Sequence, residues 1–185
     1  LIVLGKKINL VKTKNDNGRI LVIPEGDRKE VNYFVKFLYN FLKLNPNDNF
    51  TLRMHPVFNY NKKIIIKKFS NFKDRVIISD KKFAEDISLH RITLYSGSSA
   101  ILDCIRNNNL PVYININSKY DNNPLSEIKS KIREIKSAEE LNNFLKNGKI
   151  KHKENYPFIK RYVNQLFEDL KKPQFANLIR YIKNF

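Results

Sequence analysis

The groups best suited to chemistry in this 185-residue sequence lie in Glu25-Gly26-Asp27-Arg28, His55-Pro56 and Ser96-Gly97-Ser98-Ser99. The first and last of these join a glycine, which lets a ligand approach the backbone, to the start of a helical pattern. Unpaired N–H groups and the helix dipole at such a start attract an anion such as phosphate. The three serines add hydroxyl donors, and the imidazole of His55 can donate to the same anion. Each segment also has a plainer reading. Ser98 or Ser99 can be a helix N-cap, Glu25-Gly26 a turn, and His55-Pro56 a strand terminator. Their shared position at the ends of successive apolar runs is what points to one anion-binding crevice, with Arg28 and Ser96 added by position.

The elements that must hold these groups follow from periodicity. Ile20 to Ile23 is a short apolar run closed by Pro24 and reads as a strand buried on both faces. Asp27 and Glu30 have capping-box spacing, and Val31, Phe34, Val35, Leu38, Phe41 and Leu42 recur at helical intervals up to Asn45-Pro46. Phe50 to Met54 predicts a second strand, Lys62 to Phe69 a crossover helix, and Arg75 to Ser79 a third strand. Asp80 is then expected to cap a short helix carrying Phe83 and Ile87. Ile92 to Tyr95 predicts a fourth strand, Ala100 to Ile105 a helix, and Pro111 to Ile116 a fifth strand. Strands alternating with helical crossovers imply an α/β, Rossmann-like parallel sheet of five to six strands with helices on both faces. With strand order 3-2-1-4-5, the order reverses between the first and fourth strands, where ligands of such sheets bind.

Ser137 to Glu140 is a second capping box, opening a helix with Leu141, Phe144 and Leu145 that Gly148 stops. C-terminal helices follow: an apolar stripe Phe158, Ile159, Tyr162, Val163, Leu166, Phe167 and Leu170, then Phe175 to Ile182 after Pro173. The expected division is 1–18 as a linker or interdomain remnant, 19–150 as the Rossmann-like, anion-binding domain, and 151–185 as C-terminal helices. Asn17-Gly18 marks a turn before the first strand.

Composition limits the function classes. Thirteen Phe, nine Tyr and 42% apolar residues argue against disorder, and one cysteine, Cys104, excludes a disulfide framework and a cysteine-based metal cluster. Thirty-five Lys and Arg against 18 Asp and Glu leave a net charge of +17, which predicts an anionic partner. No paired acidic motif for a divalent ion stands out, and Cys104 reads as a small buried hydrophobe.

The segments Thr51-Leu52-Arg53-Met54-His55-Pro56, Leu94-Tyr95-Ser96-Gly97-Ser98-Ser99-Ala100-Ile101-Leu102-Asp103 and Leu110-Pro111-Val112-Tyr113-Ile114 together resemble the nucleotide-binding half of certain GT-B glycosyltransferases. These are enzymes of bacterial surface-carbohydrate (capsule and lipopolysaccharide) biosynthesis that carry an HP motif and a later SS motif. They include sialyl- and polysialyltransferases, capsule Kdo transferases and CDP-polyol phosphotransferases of teichoic acid synthesis. The resemblance spans roughly Arg19 to Ile116 and the C-terminal helical region.

The resemblance implies that His55, Ser98 and Ser99 contact the nucleotide and phosphate of a CMP-, CDP- or UDP-activated donor, with no metal and no other cofactor. It also implies a two-domain enzyme whose catalytic carboxylate lies in an N-terminal acceptor domain outside this chain. Glu25-Gly26 therefore inherits no catalytic role. The expected partners are the nucleotide-sugar donor, a saccharide or lipid-linked acceptor, and an anionic membrane touched peripherally at the inner face of the cytoplasmic membrane. Cytoplasmic localisation follows, and nucleic acid is not expected. The alternatives are a nucleic-acid-binding module, for which Lys62-Lys63 and Lys67-Lys68 around Ile64 to Ile66 are the best segment, and half of a nucleotide-sugar epimerase.

Overall fold

A computed structural model describes residues 19–56, 61–72, 74–116, 122–148 and 154–170. The expectations for Leu1 to Gly18, and for the helix from Phe175, lie outside these residues. Six parallel strands form one sheet: β1 (Arg19–Ile23), β2 (Asn49–Leu52), β3 (Val76–Ile78), β4 (Ile92–Tyr95), β5 (Leu110–Ile114) and β6 (Arg133–Ile135). Their order is β3-β2-β1-β4-β5-β6, which contains the order assumed from the sequence and reverses between β1 and β4. The sixth strand, Arg-Glu-Ile, is too short and too charged to announce itself as a periodic run.

Alternation along each strand divides the interior into two cores. Ile20 and Val22 face the same side as Leu94, Val112 and Ile114, and are covered by α1 (Arg28–Leu44), α2 (Lys62–Lys68) and α5 (Ala138–Asn143). Leu21 and Ile23 face the other side with Tyr95 and Tyr113, beneath α3 (Phe83–Leu89), α4 (Ile101–Arg106) and α6 (Tyr156–Leu170). Both faces of β1 are thus buried, which is why its sequence is continuously apolar rather than alternating.

Helix α1 forms because its apolar residues repeat every three or four positions and its start is capped. Asp27 accepts the Glu30 N–H at 3.0 Å, while Phe34, Leu38 and Phe41 are wholly buried. Phe41 meets Phe50 of β2 edge-on, with ring centroids 5.3 Å apart. Each such side chain contributes roughly 1.5–3 kcal/mol of burial, so this helix anchors one layer of the domain.

The structure corrects the sequence reading at several points. Asp80 does not cap α3. Its carboxylate pairs with Lys62, and α3 begins after Lys82 without a side-chain cap. Helix α4 begins after Ala100, and neither Ser98 nor Ser99 caps it through a hydroxyl; their backbone carbonyls accept from Ile101 and Leu102 instead. Phe158, placed on the apolar stripe by its spacing, is exposed because Ile159 and Val163 define the buried side of α6 against α4.

Candidate functional site

The parallel pairing of β1 with β4 brings Val22 opposite Leu94 and Ile23 opposite Tyr95, so the turns that follow both strands leave the sheet side by side. β2 pairs with β1 on the other side, setting Leu52 opposite Val22 and carrying His55 to the same end. Gly26 and Gly97 record how closely these turns meet. A Cβ built at Gly26 would stand 3.2 Å from His55 Nδ1, so the imidazole packs against this glycine. A Cβ at Gly97 would stand 2.3 Å from Glu25 Oε2 and 3.3 Å from the Asn122 Cβ. The β1–α1, β2–α2, β4–α4 and β5–β6 connections therefore converge on one crevice.

Within it, Ser96 and Ser98 are buried, while Ser99 is exposed. Neither the Ser96 nor the Ser98 hydroxyl bonds another described residue, which leaves both free to turn toward a ligand. Glu25, Gly26, His55 and Gly97 are half-buried, and Arg28 and Pro56 are exposed at the rim. The sequence-selected groups thus come together, with Arg28 and Pro56 at the periphery.

Glu30 escaped the sequence reading of the site. The capping-box pattern has its side chain return to the N-cap, yet it reaches past Asp27 to accept the Glu25 N–H at 3.0 Å. The Gly97 backbone N–H lies close enough to favour the charged form of the same carboxylate. Burial pushes the Glu30 carboxyl up to about 7, and the neighbouring Glu25 and Asp27 charges push the same way, against the two backbone N–H groups. Asn122 and Asn123 were also missed. Asn123 Oδ1 accepts from the Tyr95 hydroxyl at 3.1 Å and from the Leu125 N–H at 3.0 Å, fixing the loop after β5 against the end of β4. In a chain rich in asparagine no sequence signal separates this pair from the rest.

The start of α1 holds the carboxylates of Asp27 and Glu30, and α4 is six residues long. The polar groups without a partner among the described residues are the Ser96 and Ser98 hydroxyls, beside the His55 imidazole and the Glu25 carboxylate. Hydroxyls and imidazole suit a phosphate; a carboxylate suits hydroxyl donors such as those of ribose or a sugar.

A separate cavity of about 410 Å3 lies beside β2 and β3, lined among others by Thr51, Ser79, Asp86 and His90. Its polar groups are mutually engaged. Asp86 accepts from Arg53 at 2.6 Å and from the Ser79 hydroxyl at 2.7 Å, while His90 bridges the Asp86 carbonyl and the Thr51 hydroxyl. Chemistry is better served by the crevice, where buried polar groups remain uncommitted.

No family model matches the sequence, and no curated protein matches it. Solved structures do share the fold. A UDP-GlcNAc 2-epimerase from Neisseria meningitidis bound to UDP-GlcNAc aligns with a TM-score of 0.51 at 15% identity, over 77% of this chain and 39% of its own. The wall teichoic acid polymerase TagF, in a variant soaked with CDPG, aligns with a TM-score of 0.53 at 14% identity, over 88% and 45%. A putative UDP-N-acetylglucosamine 2-epimerase from Listeria monocytogenes gives 0.51 at 11% identity, over 84% and 43%. The chain spans less than half the length of each of these structures. The fold is therefore a Rossmann-like α/β domain of the GT-B kind.

Proposed function

We propose that the crevice between the β1–α1 and β4–α4 turns binds a nucleotide-activated sugar or polyol, and that the chain is the donor-binding half of a GT-B glycosyltransferase of surface-polysaccharide synthesis. The observation that carries this reading is the meeting of His55, Gly26, Gly97 and two uncommitted buried serines at the point where the strand order reverses. Solved structures of the same fold whose names specify UDP-GlcNAc and CDPG support it.

In this reading His55 and the hydroxyls of Ser96, Ser98 and Ser99 hold the phosphates, and stabilise the negative charge that grows on the leaving nucleotide as the glycosyl or phosphoryl bond breaks. Glu25 accepts hydroxyl groups of the ribose or the transferred group. A CMP- or CDP-linked donor is the first choice. The catalytic base comes from a partner domain that faces this crevice, and the acceptor is a saccharide or a lipid-linked chain.

Titration with CMP, CDP, UDP and short oligonucleotides tests the proposal by NMR. Cytidine nucleotides are expected to shift the backbone amides of Gly26, His55, Gly97 and Ser98, and His55→Ala to weaken them about tenfold, equivalent to ~1.4 kcal/mol. Absence of any nucleotide response at millimolar concentration, with salt-dependent oligonucleotide binding instead, overturns it in favour of the nucleic-acid reading. Epimerisation begins from the same donor complex. It is distinguished by isomerisation of a UDP-sugar with no acceptor present.

A further inference from the structure

Two turns from other parts of the chain press on Gly97, and each brings a polar side chain to it. A Cβ on this glycine would collide with the Glu25 carboxylate from the β1–α1 turn and stand 3.3 Å from the Asn122 Cβ of the β5–β6 loop. Asn122 is exposed, and its carboxamide is likewise without a partner among the described residues. The next residue is its opposite. Asn123 is 4% exposed, and its Oδ1 accepts from the Leu125 N–H at 3.0 Å and from the Tyr95 hydroxyl at 3.1 Å. The first bond is local to the loop, as is the one from the Ser126 N–H to the Asn123 carbonyl. The second crosses to the sheet, where Tyr95 is wholly buried at the end of β4, two residues before Gly97.

We propose that Asn122 contacts the ligand of the crevice, taking with Glu25 a hydroxyl-bearing part of the bound donor over Gly97, and that the Tyr95–Asn123 hydrogen bond positions it there. The ligand contact rests on the function proposed above; the positioning link belongs to the ligand-free protein.

The chemistry follows from donor and acceptor counting. A carboxylate only accepts, while a carboxamide offers two N–H donors and a carbonyl acceptor. Hydroxyls both donate and accept, so a neighbouring pair of them can donate to Glu25 and accept from the Asn122 Nδ2. Phosphate oxygens only accept and are disfavoured beside a carboxylate, which leaves them to the serines and His55. The ribose of a nucleotide and the transferred sugar or polyol both present such hydroxyls. Leu125 and Ile128 anchor the segment after Asn123 in the core by apolar contact. Tyr95 adds a directional bond one residue from the contacting side chain, and a bond to a strand holds a loop residue more tightly than a turn does.

Three variants remove one group each or two together. Asn122→Ala keeps the Cβ that packs on Gly97 and loses only the carboxamide. Tyr95→Phe keeps the buried ring and loses only the bond to Asn123. The third combines them. Binding of CDP-glycerol, CDP and 2′,3′-dideoxy-CDP is followed by NMR titration. Asn122→Ala is expected to weaken CDP-glycerol about fivefold, in line with one lost hydrogen bond. A matching loss with CDP but not with dideoxy-CDP assigns the hydroxyls to ribose, and no loss with either nucleotide assigns them to the transferred group. Unchanged CDP-glycerol affinity, or an equal loss with dideoxy-CDP, overturns the contact.

Tyr95→Phe is expected to weaken CDP-glycerol by a similar factor, and the combined variant to bind no worse than Asn122→Ala, because the tyrosine acts through the asparagine. It should also lower the backbone order parameter of Asn122 without ligand, which Asn122→Ala leaves unchanged. Additive losses, or an Asn122 order parameter that Tyr95→Phe does not move, overturn the positioning role. A wild type that binds none of the three nucleotides overturns the function reading and the contact together, and the order parameters still decide the link.

Discussion

The carboxylate of Glu25 lies directly against the Cα of Gly97, close enough that a methyl group on Gly97 would stand 2.3 Å from Oε2 and 3.0 Å from the carboxyl carbon. The far end of a flexible side chain can swing away, so Gly97→Ala is expected to cost only about 1 kcal/mol of stability. In a Glu25→Ala background that cost should largely vanish, because the colliding atoms are gone. A double-mutant cycle by urea denaturation reads the coupling directly. A zero coupling energy would show that the two turns do not touch in solution.

Glu30 gives the fold a pH-dependent stability of defined sign. Its folded value of about 7 lies above the usual 4.5, so between those two pH values the folded chain keeps a proton that the unfolded chain has released. Stability from this group is full below pH 4.5, declines as pH rises through the window, and levels off above 7. The decline amounts to no more than about 3 kcal/mol. Urea midpoints of the wild type and Glu30→Gln, compared from pH 5 to pH 8, should converge and then cross in favour of the variant as pH rises. A difference that stays constant across the range contradicts this account.

Arg53 holds the exit of β2 two residues before His55. Its guanidinium bonds the buried Asp86 carboxylate at 2.6 Å and the Lys81 carbonyl at 2.7 Å, and sits over the Phe83 ring. Arg53→Ala strands Asp86, which is 1% exposed, and should cost about 2–3 kcal/mol; the residual exposure of the arginine, 22%, keeps the loss below that of a wholly buried pair. Arg53→Ala with Asp86→Ala should recover part of it. Chemical denaturation of the three variants measures both quantities.

Cys104 is wholly buried on the α4 face of the sheet, and burial pushes its thiol well above the ordinary range. A protonated, inaccessible thiol is a poor nucleophile. The native protein should leave a thiol-disulfide reagent unreacted over hours at pH 8, and react at once in 6 M guanidinium (about the concentration that unfolds most domains). Rapid native labelling would mean that α4 opens readily.

The peripheral membrane contact expected from the sequence is a proposal that the exposed surface of α2 puts to a test. Ile64 and Ile66 are exposed at 55% and 53%, between Lys62, Lys63, Lys67 and Lys68. Among the described residues no helix is long and apolar enough to cross a membrane. Sedimentation with vesicles containing phosphatidylserine should exceed that with neutral vesicles, and Ile64→Ser with Ile66→Ser should reduce it severalfold. Equal sedimentation with both vesicle types removes the membrane from the proposal.

The legible part of the molecule was the part governed by local periodicity. Ile20 to Ile23 and Ile92 to Tyr95 announced buried parallel strands by continuous apolar runs, and Val31 to Leu42 announced a helix by its repeat. The alternation of strands and helices indicated a doubly wound sheet, and the strand order 3-2-1-4-5 assumed for it put β1 beside β4 and located the crevice. What escaped depends on side chains bonding across the sheet. The Asp27 to Glu30 spacing is equally compatible with a closed capping box and with the longer reach to Glu25. Asp80 looked like a cap until its charge partner, Lys62, proved to lie on another element. β6 has three residues, two of them charged, and owes its existence to pairing with Val112 to Ile114 rather than to its own sequence.

The neighbouring of β1 and β4 also bears on how the domain is assembled. The whole of β2, β3 and the helices around them intervenes in the chain, so this pairing closes the longest loop in the centre of the sheet and is entropically slow to form. The ligand crevice is therefore absent from any partly folded state that lacks this pairing. A molecule bridging the two turns would clasp the early and late halves of the polypeptide together. Its effect should be felt as slower global unfolding and resistance to proteolysis throughout the domain, not as the stiffening of one loop.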